Sequence, residues 1–259
     1  MKMGTMIHIQ KKAPLVIHLH MPKTGGTTLK KIIKKNYPRS NVFDVYLDHQ
    51  QLETRLQEIA EKDVKCLQGH MPFGVHHVFK QPSTYITLLR DPVDRIISEY
   101  YFIRSIPWHN SHLKVSKMSL EEYQESPMNQ NLQTHYILGG KFGSPLSEED
   151  FEQAKKNLET HFSVVGITDM FDESLFLLMK QFQWANTLYT KANVTKKRPA
   201  KHEISQETIE KIKENNRTDI KLYEFAKQRL TDRISSLDFL TKKHLKIFKK
   251  KINEYKQLH

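Results

Sequence analysis

The feature that most constrains this chain is an apolar run that leads through a glycine pair into a basic helix. Residues 14–31 read PLVIHLHMPKTGGTTLKK, the pattern of a buried strand, a loop and a helix. At such a turn the first backbone N–H groups of the helix lack intrahelical acceptors, and the helix dipole favours an anion. Gly25 and Gly26 allow the backbone to curl tightly. The stretch predicts a phosphate-binding loop.

The order of the loop residues differs from that of a nucleotide-binding P-loop. In the pattern G-x-x-x-x-G-K-[ST] the lysine follows the glycines, whereas here Lys23 precedes Gly25 and Gly26. Thr27 and Thr28 add hydroxyl donors at the start of the helix. Taken alone, the segment is also compatible with an ordinary strand-to-helix turn that uses glycine only for its geometry.

Short apolar runs alternate with helical patterns along the first two thirds of the chain. The predicted strands are Leu15–Leu19, Val64–Leu67, Tyr85–Leu89 and Ser163–Ile167, and the predicted helices are Thr27–Lys35, Gln50–Glu61, Pro92–Ile103 and Glu148–Thr160. No run alternates cleanly between apolar and polar residues, which is typical of strands buried on both faces of a parallel sheet. We therefore predict an α/β fold whose central, mainly parallel sheet is flanked by helices.

The C-terminal part of the sequence has a different character, because helix-period patterns continue from Ser205 without a convincing strand. We predict one domain over residues 1–259, with an α/β core at about 13–204 and a helical extension at 205–259. An apolar stripe in the extension could pack on the body of the protein or on a second subunit. The sequence therefore leaves the oligomeric state open.

A second strand-to-helix segment repeats the first architecture. Residues 84–102 read TYITLLRDPVDRIISEYYF, in which Asp91 can cap a helix and Pro92 occupies its first position. Arg90 ends the strand, at the edge where open α/β sheets bind ligands. Ser98 follows about two turns into the helix. The alternative interpretation is a structural ion pair between Arg90 and Asp91, with Ser98 merely tolerated.

Together, HMPKTGGTTL and LLRDPVDRIISEYYF resemble the paired signatures of sulfotransferases that use 3′-phosphoadenosine 5′-phosphosulfate (PAPS). The closest resemblance is to the carbohydrate branch that includes the heparan sulfate 2-O- and 6-O-sulfotransferases. It runs in patches from about residue 15 to 230. The resemblance implies a three-layer, P-loop-like fold and transfer of a sulfuryl group to a hydroxyl of a glycan or another acceptor. PAPS would be the donor, and adenosine 3′,5′-bisphosphate (PAP) the product.

The resemblance also implies roles for individual residues. In that family the first loop holds the 5′-phosphosulfate, and an arginine and a serine of the second segment hold the 3′-phosphate. On this chain the first set corresponds to Lys23, Thr24, Gly25, Gly26, Thr27 and Thr28, and the second set to Arg90 and Ser98.

Four further segments resemble counterparts in the same family, and two of them, NLQTHYILGG at 131–140 and VVGITDMFDESLFLL at 164–178, carry no assigned role. QGHMPFGVHH, at 68–77, resembles the segment that carries the catalytic base, which makes His70 the expected base and Lys23 its expected catalytic partner. NVTKKRP, at 193–199, resembles a loop that closes over the 3′-phosphate end of the donor, through Thr195 and Lys197. A solvated basic turn is the alternative for that stretch.

The charge of the chain predicts an anionic ligand without identifying it. Lys and Arg number 41 against 29 Asp and Glu, a formal net charge of +12. A non-catalytic polyanion-binding protein is one alternative, but the lysines are dispersed and no reading motif is present, so we expect no nucleic-acid partner. A nucleotide or small-molecule kinase is another; it should have a lysine after the glycines and a magnesium-binding carboxylate. A sulfotransferase fold that has lost catalysis is the third.

No metal site is expected, since fixed cations and backbone donors can stabilise the charge of the reaction. His18 and His20 are expected to face opposite sides of their strand and so not to form one. Cys66 is the only cysteine, which favours a reducing compartment, and no apolar run reaches the roughly 18 residues of a transmembrane helix. We expect a soluble, cytoplasmic and bacterial protein without a transmembrane segment.

Overall fold

The structure, a computed structural model, describes residues 13–46, 49–190, 192, 199 and 201–258. Its centre is a five-stranded sheet in the order β2-β3-β1-β4-β5, and every pairing in the sheet is parallel. The strands are β1 Leu15–Leu19, β2 Val42–Val45, β3 Cys66–Gly69, β4 Ser83–Leu89 and β5 Phe162–Ile167. The predicted α/β fold with a parallel sheet is confirmed.

Helices cover the sheet and form the C-terminal part of the chain. In the described residues they are α1 Gly26–Asn36, α2 His49–Ala60, α3 Pro92–Ser105, α4 His112–Val115, α5 Leu120–Glu125, α6 Leu132–Leu138, α7 Glu148–His161, α8 Phe171–Phe182, α9 Gln206–Asn215, α10 Arg217–Ser235 and α11 Phe239–Leu258. None of these described helices is both long and apolar enough to cross a membrane.

The edge strand β2 was not predicted from the sequence. Its four residues include the charged Asp44, so the segment offers neither a long apolar run nor a buried alternation. Tertiary contacts hold it instead: Asp44 accepts a hydrogen bond from Gln68 of β3 at 2.8 Å and pairs with Lys34 of α1 at 2.5 Å. Strand β2 therefore depends on its neighbours more than on its own propensity.

The middle of the sheet is buried on both faces, as the continuous apolar runs predicted. All five residues of β1 are buried, and Tyr85–Leu89 of β4 is buried as well. Since a parallel sheet is covered by helices on each side, its central strands bury successive side chains rather than alternate ones. This rigid centre fixes the positions of the loops that leave the carboxyl ends of the strands.

The apolar stripe of α11 packs within the chain, against α8. Leu245 and Ile252 are buried, and the rings of Phe248 and Phe176 lie 5.5 Å apart. Lys256 adds an ion pair to Asp172 at 3.2 Å. We retain as a proposal the description of residues 1–259 as one domain with its boundary near 205.

Candidate active site

A cavity of about 720 Å³ lies at the carboxyl ends of the strands. Eight of the residues assigned from the sequence line it: Lys23, Gly25, Gly26, Thr27, Thr28, His70, Arg90 and Ser98. Thr24 lies beneath the loop, where its hydroxyl donates a hydrogen bond to the Met21 carbonyl at 3.0 Å. Thr195 and Lys197 lie outside the described residues. The fold therefore brings together three segments that are distant in sequence.

The turn between β1 and α1 leaves the start of its helix open. Gly25 is the N-cap in the left-handed region at φ 88°, and no side chain caps the helix. Among the described residues, the backbone N–H groups of Thr24, Gly25, Gly26 and Thr27 have no acceptor. Four consecutive donors and the positive end of the helix dipole can hold an anion. We call these four residues the open turn.

A close contact beneath the open turn explains why Gly26 is a glycine. A Cβ atom on Gly26 would lie 1.9 Å from Cδ2 of the His20 ring, far inside van der Waals contact. His20 is itself buried and lines the cavity, so its ring has little room to move. The open turn therefore rests directly on an imidazole ring.

Lys23 has a backbone that is unusual for a side chain of its size. Its φ is 64°, in the left-handed region, and such strain is concentrated at functional sites. Its ammonium lies 3.8 Å from the centre of the Phe102 ring, a cation–π contact on the cavity wall. The Lys23 carbonyl accepts a hydrogen bond from Nη1 of Arg90 at 3.0 Å. The two predicted cationic residues are thus joined directly.

Arg90 is held from the opposite side by Gln133 of α6. The Arg90 backbone donates to the Gln133 side chain, which in turn donates to the Arg90 carbonyl, each at 2.9 Å. The Asp91 carboxylate accepts from the Asp94 backbone at 2.9 Å, and Pro92 follows, as predicted from the sequence. Ser98, on the same helix α3, is buried and lines the cavity.

His70 follows β3 and has a defined tautomer. Its Nδ1 lies 2.5 Å from the His20 carbonyl, and a carbonyl can only accept, so Nδ1 carries a proton. In the neutral ring Nε2 is then the unprotonated nitrogen. Burial lowers the pKa of His70, and the bond to the His20 carbonyl and the charge of Glu99 oppose that shift. A neutral imidazole with its base nitrogen available fits proton abstraction.

The rings of His18 and His20 lie on one side of β1, so the expectation of opposite sides was wrong. They stack with their centres 5.3 Å apart, because residues two apart in a strand point to the same face. Burial lowers the pKa of His18 to about 3 and that of His20 to about 2. Both rings are therefore neutral near pH 7. Within the described residues, no group of three or more His, Cys, Asp or Glu side chains is placed to hold a metal ion.

Several cavity residues were not assigned from the sequence, namely His20, Glu99, Phe102, His109, Thr168, Asp169, Phe171 and Tyr189. A signal existed for Thr168 and Asp169, since they follow β5 directly and the carboxyl ends of parallel strands meet at one edge. The Thr168 hydroxyl lies 2.7 Å from the Thr24 carbonyl and 3.1 Å from the Leu89 carbonyl. It therefore ties together the turns after β1, β4 and β5.

The exposed connection after α3 contributes one residue to the cavity. His109 lines it, and its Nδ1 accepts a hydrogen bond from the Ser111 backbone at 3.1 Å, so the other ring nitrogen carries the proton. The neighbouring Trp108 is 82% exposed. A hydrogen-bond donor and an exposed indole thus lie next to each other at this end of the cavity.

Comparison with known families gives a match over most of the chain. The family model described as galactose-3-O-sulfotransferase matches residues 12–238.

Curated relatives are sulfotransferases from animals. Heparan sulfate 2-O-sulfotransferase 1 of Xenopus laevis is 24% identical in an alignment of 246 positions, and the match covers 82% of this chain and 69% of the relative. Heparin sulfate O-sulfotransferase of Drosophila melanogaster is 26% identical in an alignment of 257 positions, which covers 83% of this chain and 74% of the relative. Heparan-sulfate 6-O-sulfotransferase 2 of Danio rerio is 29% identical in an alignment of 270 positions, which covers 82% of this chain and 57% of the relative.

Among solved structures, mouse sulfotransferase SULT7A1 complexed with PAP is similar with a TM-score of 0.42 and 13% sequence identity. The match covers 78% of this chain and 63% of that chain.

Proposed function

Because this chain belongs to the galactose-3-O-sulfotransferase family, a family of carbohydrate sulfotransferases, we propose that it transfers a sulfuryl group from PAPS to a hydroxyl of a glycan. The observation that carries the proposal is the convergence of two anion-binding elements and a neutral histidine in one cavity. The open turn offers backbone donors, and Arg90 with Ser98 offers side-chain donors. Two such elements suit a nucleotide that carries a charged group at both its 5′ and 3′ positions.

The residues of the cavity fit the donor in both size and chemistry. A volume of about 720 Å³ is in the range of nucleotide-sized pockets. The open turn, with the hydroxyls of Thr27 and Thr28, would hold the 5′-phosphosulfate. Arg90 and Ser98 would hold the 3′-phosphate. PAPS, when bound, would supply an activated sulfuryl group.

Two side chains would carry the chemistry. The Nε2 atom of His70 accepts the proton of the acceptor hydroxyl as that oxygen bonds to sulfur. The bond between sulfur and the bridging phosphate oxygen breaks, and the Lys23 ammonium stabilises the negative charge left on that oxygen. The burial of His70 keeps its ring neutral before the proton arrives. Lys23 and His70 are thus the catalytic residues of the proposal.

The proposed acceptor class, a carbohydrate hydroxyl, follows from the family. The names of the animal relatives include heparan sulfate and heparin, and an acidic glycan is compatible with the net charge of +12. The expectation of a cytoplasmic, bacterial protein stays a prediction. So does the contribution of Thr195 and Lys197 to the 3′-phosphate site.

Calorimetric titration with PAP tests the donor assignment. Wild-type protein should bind PAP more tightly than AMP, which lacks the 3′-phosphate, and more tightly than ATP with magnesium. Arg90→Ala should weaken PAP binding about 30-fold and leave AMP binding nearly unchanged. Arg90→Lys, the matched variant, keeps the charge but loses the planar fork, and should recover part of the affinity. A preference for ATP with magnesium would replace this proposal with a kinase.

Transfer of labelled sulfate from PAPS to a panel of glycans tests the catalytic assignment. His70→Ala should lower the transfer rate by about 100-fold to 10,000-fold. Its PAP affinity should stay within about threefold of wild type, because the histidine acts on the acceptor hydroxyl. Normal transfer by the variant would exclude His70 as the base.

A further inference from the structure

Glu99 places a carboxylate on the wall of the cavity in which the open turn, Lys23 and Arg90 attract anions. It follows Ser98 on α3, and its side chain is 17% exposed. The open turn, Lys23 and Arg90 line the same cavity. A negative charge at this position repels a phosphorylated donor, and the repulsion is stronger where water is partly excluded. The position of Glu99 therefore needs an explanation other than donor binding.

The carboxylate is held in place by a buried cation. Nη1 of Arg95 lies 2.5 Å from Oε2 of Glu99, and Arg95 is fully buried. Nη2 of Arg95 donates to the Asn129 carbonyl at 3.0 Å, which fixes the guanidinium from the other side. Glu99 is therefore immobilised at the cavity wall. A role limited to neutralising Arg95 is the alternative interpretation.

A fixed negative charge in the cavity also acts on His70, because it favours the protonated form of the ring. His70 follows β3, whereas Glu99 lies on the helix after β4, and β1 lies between those strands in the sheet. The two residues therefore reach the same cavity from segments that follow strands on opposite sides of β1.

The groups that face His70 come from several elements. They are His18 and His20 on and after β1, Lys30 on α1, Tyr46 after β2, and Glu99 on α3. Lys30 lowers the pKa of His70 and Glu99 raises it, while Lys23 and Arg90 add positive charge to the same cavity. Glu99 thus favours the imidazolium among surroundings that oppose it.

We propose that Glu99 is a positioning residue that stabilises the imidazolium of His70 formed when the acceptor hydroxyl gives up its proton. The proton passes from the acceptor oxygen to Nε2 of His70, while the Glu99 carboxylate stays paired with Arg95. The catalytic part of this inference rests on the proposed function. The electrostatic coupling between Glu99 and His70 exists without donor or acceptor.

An NMR titration of isotope-labelled histidines in the full chain measures that coupling. The His70 signal is identified by its loss in His70→Gln. Glu99→Gln should lower the pKa of His70, whereas Glu99→Asp, which keeps the charge, should retain more of the wild-type value. Glu207→Gln is the matched control, because it removes one negative charge from a side chain that is 78% exposed on α9. It should leave the His70 titration unchanged.

Two further measurements separate the coupling from a structural role. Glu99→Gln should bind PAP about threefold more tightly, since a repulsive charge is removed. Its transfer rate should fall about tenfold, and the pH at which the rate is half-maximal should move down with the pKa of His70. If Glu99 served only to neutralise Arg95, Glu99→Gln would lower the stability of the protein and leave the His70 titration unchanged.

A second variant covers the case in which Glu99→Gln does not fold with Arg95 unpaired. Arg95→Met combined with Glu99→Gln removes both charges, which buried pairs often tolerate. The His70 pKa should again fall. An unchanged His70 titration in either folded variant overturns the inference. Failure of wild-type protein to bind PAP would instead refute the proposed function, so the two failures are distinguishable.

Discussion

The turn between β1 and α1 and the turn between β4 and α3 lie on paired neighbouring strands, and they start their helices in different ways. The first has a left-handed Gly25 and no side-chain cap, so its N–H groups stay open. The second has Asp91 bonded to the Asp94 N–H and Pro92, which lacks an N–H altogether. The first turn can bind an anion through its backbone. At the second turn the proposed contacts to an anion come from side chains, Arg90 and Ser98.

This difference means that the two turns depend on different features of the fold. A backbone site requires that the chain follow one path, which the packing of Gly26 on the His20 ring helps to define. A side-chain site requires correctly oriented groups on a stable helix, which the cap at Asp91 provides. Substitutions should therefore act on the two turns through different measurable quantities.

Gly26→Ala should have the largest effect on PAP binding, because the added Cβ forces the backbone of the open turn to move. The new Cβ would lie 1.9 Å from the His20 ring, so the turn must shift and lose hydrogen bonds to the charged ligand, each worth about 1.5 to 3 kcal/mol or up to about 100-fold in affinity. We expect a loss of that size in PAP binding by calorimetry, with about 1 to 3 kcal/mol of lost stability. Gly74→Ala is the control, since its φ is positive but nothing lies within 4 Å of the added Cβ. Unchanged PAP binding by Gly26→Ala would show that the open turn does not bind the anion through its backbone.

Acid should destabilise the protein through the histidines beneath the open turn. The pKa values of His18 and His20 fall from 6.5 to about 3 and about 2 on folding. Below pH 6.5 the unfolded chain therefore binds protons that the folded chain does not, and stability falls with falling pH. Together they should cost about 2 to 3 kcal/mol between about pH 7 and pH 5.5. Urea unfolding across this range measures the slope, which His18→Gln should flatten. An equal slope in that variant would contradict the assignment.

Ser98→Ala should affect the second turn more mildly and only toward one ligand. Loss of one hydroxyl bond to a charged phosphate should weaken PAP binding about tenfold. AMP, which lacks the 3′-phosphate, should bind the variant as it binds wild type. Competition titrations with both nucleotides measure the ratio. Equal losses for PAP and AMP would place Ser98 outside the 3′-phosphate site.

Asp91→Ala should have the smallest effect on PAP binding, because the Asp91 side chain caps helix α3 and is not assigned a contact to the ligand. Loss of an N-cap typically costs about 1 kcal/mol, seen as a lower melting temperature. PAP affinity should stay within about threefold of wild type, since Arg90 remains held by Gln133 and by its bond to the Lys23 carbonyl. If Asp91→Ala lost as much PAP affinity as Gly26→Ala, the proposed difference between a backbone site at the first turn and a side-chain site at the second would be contradicted.

Local patterns predicted the parts of the fold that local contacts stabilise. Helix α7 begins at Glu148 as predicted, with a reciprocal capping box between Ser147 and Asp150, and Asp91 caps α3 as expected. These contacts join residues three apart, so the sequence contains them directly. Strand β2 was missed because it is held by pairing with β3, far away in the chain. The prediction for His18 and His20 was wrong for a local reason, because residues two apart in a strand point to the same face and not to opposite faces.

By itself, the sequence determined the two strand-to-helix turns, the parallel α/β class and eight of the residues that line the cavity. The tertiary structure alone decided that Glu99 and His20 share that cavity, and that the His20 carbonyl fixes the tautomer of His70. The physical reason is the strand order β2-β3-β1-β4-β5, which brings the ends of distant strands to one edge. Caps and glycine turns depend on neighbours in the chain, whereas the charge around His70 depends on neighbours in space.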